Sequence, residues 1–334
     1  MPVHADGHAG CFEHSHCYSA RKTGCASELG ESNLPRSSDT LVIVPGRKTG
    51  DSQSIVGDAS RSERDVHQQP VLSVDRARER ASVASKLPVL MRAQSITKRY
   101  GDLYASADVS FEVHEGSLTG VVGPNGAGKT TVLSMISGLN RPTSGRIFVG
   151  EFDVWSDGPK AKRIIGSLPD RLRLFDRLTG AQLLMYAAVL QGVEGQQAKT
   201  AVRQLSEAFG LDHALGRPVT DYSAGMQKKI GLACAMIHSP KLLVLDEPYE
   251  TIDPVSAVNV TEILEKFVAQ GGSVIMSSHS LDLIQRMCDH VVVIAEGSVV
   301  AAGTVDQVRA GMTLEERFSH LTGPGGEREG LQWL

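Results

Sequence analysis

The sequence predicts an α/β protein: a parallel core sheet, an antiparallel β portion near its start and an inserted helical subdomain. Three observations predict this. A glycine-rich loop, Gly123 to Thr131, stands between the apolar strand Leu118-Thr119-Gly120-Val121-Val122 and the helical start Val132-Leu133-Ser134-Met135-Ile136. Two continuous apolar runs, Lys241 to Asp246 and Ser273 to Ser278, have the pattern of strands buried on both faces. Between residues 179 and 238 apolar side chains recur at helical spacing, first at Leu183, Leu184, Ala187, Ala188 and Val189, then at Val202, Leu205, Ala208 and Phe209.

In chain order, residues 1–88 differ from everything that follows. Their only aromatics are Phe12 and Tyr18, Ser, Gly and Arg are frequent, and acidic and basic residues balance at eleven each. Such a composition buries too little apolar surface to offset its ordering entropy, so the segment reads as a disordered N-terminal extension with few contacts to the core. Within it, Leu41-Val42-Ile43-Val44 is a strand-like run and Val71 to Lys86 a transient charged helix. Cys11, Cys17 and Cys25 lie among His4, His8, His14 and His16. Their spacings match no paired-ligand metal site and read as incidental.

From Val89 the pattern is regular. Val89 to Ile96 and Ala107 to Val113 read as short strands joined through Lys98 to Asp102. Beyond the loop and its helix, Thr143-Ser144-Gly145 turns the chain into a strand at Arg146 to Val149, and a further strand covers Arg163 to Ser167. The helical subdomain spans about 170–238, and Val291 to Ala295 with Ser298 to Ala301 form a closing hairpin. The folded domain is thus expected over 89–310, with a C-terminal helix and tail over 311–334.

At 334 residues with 41% apolar side chains the chain can bury a substantial core. No apolar run approaches the ~18 residues that span a bilayer. A formal charge of -4 gives no electrostatic case for nucleic acid, since a duplex binder usually shows a basic face, so no nucleic-acid partner is expected. Five cysteines, three of them before residue 26, do not form a disulfide framework for the rest, which points to a reducing, cytoplasmic setting.

Gly123-Pro124-Asn125-Gly126-Ala127-Gly128-Lys129-Thr130-Thr131 fits G-x-x-x-x-G-K-[ST], the phosphate-binding loop, in its strand–loop–helix context. Its glycines let successive N–H groups face a nucleotide's phosphates, and the helix adds its positive end. Lys129 would bridge β- and γ-oxygens, and Thr130 would hold Mg²⁺. Leu242-Leu243-Val244-Leu245-Asp246-Glu247-Pro248 places two carboxylates at the C-terminal end of a buried strand, where ligands gather in open α/β sheets. Asp246 would hold Mg²⁺ through water, and Glu247 would polarise the attacking water.

With these residues the chain resembles the ATP-binding subunits of ABC transporters, over Val89 to about Gly323. Tyr222-Ser223-Ala224-Gly225-Met226-Gln227 looks like the family's signature sequence. The resemblance implies that Ser223 and Gly225 contact the γ-phosphate of ATP held by a second subunit, so that the chain acts as a homodimer or with a paralogous ATPase subunit. It further implies that Tyr100 stacks on adenine, that His279 contacts the γ-phosphate, and that Asp253 belongs to the loop crossing the dimer interface. Asp170 stands where the family usually has Gln, with a place near Mg²⁺ or the water. Ala224 replaces the first signature glycine, and Tyr249 and Thr251 stand where Thr and Gly are usual.

Residues Leu314 to Gly323 resemble the ending of subunits serving exporters of the drug and polysaccharide type. The function so implied is ATP hydrolysis, with ATP and Mg²⁺, that drives export through a separate membrane-spanning permease, from the cytoplasmic face of the membrane. Two other readings use the same residues: a soluble ATP-driven dimerisation switch acting on a partner, and the energising subunit of an importer.

Overall fold

A computed structural model describes residues 86–323 apart from 172 and 176, together with Ala77, Arg80, Ala81 and Val83. The strand-like run at 41–44 and the Cys/His cluster before residue 26 lie outside the described residues. The catalytic core is built on a six-stranded sheet. Its strands are β3 (Leu118–Val122), β6 (Ile165–Leu168), β7 (Leu242–Leu245), β8 (Ser273–Ser277), β9 (His290–Ala295) and β10 (Ser298–Thr304), in the order β10-β9-β3-β8-β7-β6. All neighbours run parallel except β10, which returns antiparallel to β9 through a tight turn. Glu296 and Gly297 both take positive φ in that turn, which matches the twist of the strands it joins.

Alternate side chains explain why the central strands are apolar throughout. Leu118 and Val122, Leu243 and Leu245, Val274 and Met276, and Val291 and Val293 belong to one hydrophobic cluster. Val121, Val244, Ile275, Val292 and Ile294 belong to another. A period of two thus sends residues to two covered faces, and the buried polar side chains of these strands are few: Thr119 in β3 and Ser273 and Ser277 at the ends of β8. The first cluster takes in helices α3 (Gly180–Leu190), α5 (Ala224–Met236), α6 (Pro254–Ala269) and α7 (Leu281–Met287). The second takes in α1 (Lys129–Ile136) and the antiparallel sheet.

That second sheet has the order β2-β1-β4-β5, from β1 (Val89–Tyr100), β2 (Leu103–His114), β4 (Ser144–Val149) and β5 (Phe152–Asp153). The hairpin β1–β2 is longer than the two short strands expected, because Lys98 to Tyr100 pair with Ser106 to Leu103 instead of forming a loop. Register shifts interrupt the pairing, and Ser95 and Asp108 take positive φ, so the alternation of side chains breaks where the sequence stops looking like strand. A second correction concerns Arg163. It closes helix α2 (Gly158–Arg163), which has Pro159 in its first turn and Lys160, Lys162 and Arg163 in its last, and β6 begins only at Ile165.

The helical segment comprises α3, α4 (Gly195–Ala208), two short 3₁₀ turns and α5. Thr179 and Gln182 form a reciprocal capping box at the start of α3. Tyr222, just before α5, is buried and donates its hydroxyl to the Ala214 carbonyl at 2.8 Å, which ties the 3₁₀ turns to the helix start. Two short helices, α8 (Val305–Arg309) and α9 (Leu314–Thr322), close the described chain, and Leu314 and Phe318 of α9 pack on the first cluster.

The expected boundary at residue 88 needs correction. Ala77, Arg80, Ala81 and Val83 are helical, and Ala77 and Ala81 are buried. Arg80 Nε lies 2.9 Å from Asp289 Oδ1, its Nη2 donates to the Met287 carbonyl at 2.7 Å, and its Nη1 lies 3.8 Å from Glu265. The other oxygen of Asp289 accepts the Leu118 N–H at 2.8 Å, where β3 begins. A carboxylate with no exposed surface needs a counter-charge, and this chain supplies it from 209 residues earlier. The carbonyls of Leu87 and Pro88 continue the attachment, the first to His114 Nδ1 and the second to the Glu115 N–H, both at 3.0 Å.

Burial pushes the Asp289 carboxyl above the usual range, and Arg80 pulls it back. Without Arg80 the folded protein would hold that proton more tightly than the unfolded chain does. Stability of the variant therefore falls as pH rises from the ordinary carboxylate range through the folded value. Arg80→Ala is expected to cost about 2 kcal/mol at pH 7.5, less than a fully buried pair because the guanidinium is partly exposed, and clearly less at pH 4. Urea denaturation at the two pH values checks this; equal losses at both would rule out the ion pair as the cause.

Candidate active site

The phosphate loop leaves the buried end of β3 and closes into α1. Its Gly128 has φ 101, and a Cβ there would run into the Ala105 carbonyl, so no other residue fits this approach of the loop to β2. Lys129 is only 6% exposed, and its ammonium donates to the carbonyls of Gly123 at 2.8 Å and Pro124 at 3.2 Å. Burial lowers its pKa, while the charges of Glu247 and Asp246 act to raise it. The cation is therefore short of water and faced by two carboxylates.

Both carboxylates come from the turn after β7. Asp246 is buried, its N–H donates to the Leu168 carbonyl at 2.8 Å, and its Oδ1 accepts the Ser277 hydroxyl at 2.6 Å. Glu247 takes φ 48, a left-handed conformation, and its N–H donates to the same Ser277 hydroxyl at 2.9 Å. The Glu247 carboxylate lies 3.1 Å from Nε2 of His279, whose side chain is mostly exposed. Burial raises the Glu247 pKa, opposed first by His279 and then by Lys129. A carboxyl moved up in this way is a better proton acceptor than an ordinary glutamate.

Lys129, Glu247 and His279 border a cavity of about 390 Å³, a volume usual for small-molecule sites, with the buried Asp246 behind its wall. It is lined by Asn125 to Thr131 of the loop, by Asp170, Glu247, Glu250 and His279, and by Leu103, Tyr104 and Ala105 of β2. The buried Asp246 carboxylate, the Thr130 hydroxyl and Asp170 are oxygen donors of the kind a hard cation takes, so the residues present fit Mg²⁺. Gly123, Pro124, Asn125 and His279 also border a smaller cavity of about 220 Å³ with Phe318.

Not every expected site residue lies at the cavity wall. Tyr100 is not among the lining residues; its hydroxyl accepts from Asn140 at 2.6 Å and the Lys98 ammonium sits 5.0 Å above its ring. The aromatic at the wall is instead Tyr104, beside the tight end of the hairpin. Asp246, Ser223, Gly225 and Asp253 do not line it either. Ser223 caps α5 by accepting the Met226 N–H at 3.3 Å, and Asp253 caps α6 through Val255 and Ser256. A Cβ on Gly225 would stand 3.0 Å from the Thr251 carbonyl, so the start of α5 packs closely on the loop ahead of Asp253. Sequence reasoning did not assign a role to Ser277 or Tyr104. A hydroxyl at the end of the strand next to the carboxylates was the available signal for the first.

Residues 106–250 match the protein family described as ABC transporter. The chain is 34% identical over 215 residues to the linearmycin resistance ATP-binding protein LnrL of Bacillus subtilis (strain 168), covering 64% of this chain and 69% of that one. It is 34% identical over 205 residues to the ABC transporter ATP-binding protein NatA of the same organism, covering 61% and 83%. With the doxorubicin resistance ATP-binding protein DrrA of Mycobacterium tuberculosis (strain ATCC 25618 / H37Rv) it shares 33% over 225 residues, covering 66% and 68%. Among solved structures, an ATP-binding subunit of an ABC transporter superposes with a TM-score of 0.67 at 28% identity, covering 70% of this chain and 100% of that one. A dimeric ATP-binding cassette in a post-hydrolysis state, bound to ADP and Pi, shares the fold with a TM-score of 0.60 at 20% identity, covering 64% and 98%.

Thr251 takes φ 66, a conformation that costs a β-branched residue about 1–2 kcal/mol. Glycine there would relieve this but add about 0.5–1 kcal/mol of chain entropy. Thr251→Gly is therefore expected to raise the thermal midpoint by about 1–3 °C. Differential scanning calorimetry measures it, and a lower midpoint would show that the threonine side chain holds the loop through contacts of its own.

Proposed function

Because the chain belongs to the ABC transporter family, as one of its ATP-binding, ATP-hydrolysing subunits, we propose that it powers export through a separate membrane-spanning permease. Export is supported by the relatives whose names mark them as resistance proteins, for linearmycin and for doxorubicin. A separate permease is supported by the described helices, none of which is long and apolar enough to cross a membrane. It is also supported by exposed apolar side chains on the helical subdomain, where Tyr186, Val189 and Leu190 of α3 stand in solvent beside Phe175. The Phe175 and Tyr186 rings meet edge to face at 5.3 Å, a cluster suited to a loop of the permease.

One observation carries the catalytic part: Lys129, Glu247 and His279 converge on one cavity whose wall lacks Ser223 and Gly225. In this reading Lys129 and the loop N–H groups hold the β- and γ-phosphates of ATP, and Tyr104 offers its ring to the adenine end. Thr130 and Asp246 would hold Mg²⁺, with help from Asp170, and the ion would supply positive charge against the phosphates. Glu247 takes a proton from water as the water oxygen bonds to the γ-phosphorus and the bond to the β-phosphate oxygen breaks, leaving ADP and phosphate. His279 restrains the Glu247 carboxylate and reaches the γ-phosphate. Ser223 and Gly225 close the site from a second subunit, which makes the working unit a dimer, either of two copies or with a paralogue.

Glu247→Gln is expected to cut hydrolysis by ~10²-fold or more while ATP still binds, because only the proton acceptor is lost. A dimer that forms with Mg-ATP should then persist on size-exclusion chromatography, and adding Ser223→Arg should dissolve it. An ATP-bound variant that stays monomeric would rule out the two-subunit site. For the permease surface, Tyr186→Glu with Leu190→Glu should leave the hydrolysis of the isolated subunit within about twofold and abolish its recovery with the membrane fraction. Recovery equal to that of the parent would place the permease contact elsewhere.

A further inference from the structure

Ser277 is fully buried at the end of β8, and its hydroxyl bonds both the Asp246 carboxylate and the backbone N–H of Glu247. We propose that Ser277 is a positioning residue for ATP hydrolysis, a single hydroxyl that orients Asp246 and Glu247 together. The proposal rests on the reading of those two residues as metal holder and proton acceptor.

The hydroxyl carries one proton, and the 2.6 Å contact with Asp246 Oδ1 commits it, since an ionised carboxylate can only accept. Toward Glu247 the same oxygen is then an acceptor, and it receives the backbone N–H at 2.9 Å. The first bond fixes the rotation of the Asp246 carboxylate and leaves its second oxygen for other partners. The second bond holds a residue in a left-handed turn, at φ 48, that the chain would not favour by itself. That turn aims the Glu247 side chain at His279, 3.1 Å away.

Register makes the arrangement possible. β7 and β8 run parallel with Leu245 opposite Met276, so the next residue of each strand, Asp246 and Ser277, meets at the C-terminal end of the sheet. Strand β8 pairs with β3 on its other side, with Val121 opposite Ser277, just before the phosphate loop. Ser277 therefore sits between the strand that delivers the phosphate loop and the strand that delivers the carboxylates. Its one donated and one accepted bond go to two different residues of the site, Asp246 and Glu247.

The test compares the full chain with Ser277→Cys, which keeps shape but bonds weakly, and with Ser277→Thr, which keeps the hydroxyl. Turnover is measured with saturating Mg-ATP, nucleotide binding with ATP in the absence of metal, and Mn²⁺ affinity by electron paramagnetic resonance in the presence of ADP. Ser277→Cys should lower kcat about tenfold or more and weaken Mn²⁺ about threefold or more, with metal-free ATP binding within about twofold of the parent. Ser277→Thr, when it binds ATP like the parent, should recover most of the lost turnover. A Ser277→Cys protein with parental kcat and Mn²⁺ affinity would overturn the proposal. Asp246→Asn and Glu247→Gln run alongside: parental turnover in both would remove the underlying site reading, whereas their loss beside an unaffected Ser277→Cys would remove only the role of Ser277.

Discussion

The buried ammonium of Lys129 is the constraint on which the catalytic end of the sheet depends. A cation with so little water must be met by dipoles and opposite charge, and it is met by the carbonyls of Gly123 and Pro124 with Asp246 and Glu247 facing it. The loop that carries the cation leaves β3, and the carboxylates leave β7. The strand order puts β8 between them, so one strand has to mediate between two charged partners. The apolar runs that fill both faces of these strands hold the three strand ends in fixed register, because a slip of one residue would exchange the two hydrophobic faces.

Two of the four departures from the usual family residues fall in the loop between Glu247 and Asp253. Tyr249 stands where threonine is usual, and its hydroxyl pairs with Thr261 of α6 at 2.9 Å and approaches the Met287 sulfur at the end of α7. Burial pushes its phenol well above the usual range, so it remains a neutral tether. Thr251 adopts a glycine-like conformation in the same loop, and its carbonyl lies against Gly225. The loop is thus fastened at both ends and strained in the middle. Ala224, by contrast, takes the first position of α5, where a methyl group favours the helix. Asp170 lines the cavity in place of the usual glutamine.

Much of this was legible in the sequence because local pattern and local chemistry agree. Apolar runs gave β3, β7 and β8, and the loop motif with Asp246 and Glu247 marked the end of the sheet where the cavity lies. What escaped notice depends on distant residues or on broken periodicity. Bulges at Ser95 and Asp108 hid the length of the β1–β2 hairpin, and Arg163, the last residue of α2, reads equally well as the start of the apolar strand that follows. Arg80 reads as one charge among many in a polar segment until Asp289 appears beneath it. Ser277 reads as the end of an apolar strand, since nothing in its neighbours along the chain says that two carboxylates will lie across from it. The wall position of Tyr104 depends on how the hairpin bends and not on spacing.

Ser223 and Gly225 stand apart from the cavity that their own chain's Lys129 borders. In genetic terms this separates two classes of defect. Between two copies that share their sites, a lesion at Lys129 spoils the site of the copy that carries it, and a lesion at Ser223 spoils the site of the other copy. Two inactive alleles, one of each class, would then meet in a mixed pair with both lesions at one site and none at the other. Such alleles would complement, whereas two of the same class would not, and a single defective copy would compromise every pair it entered without silencing it.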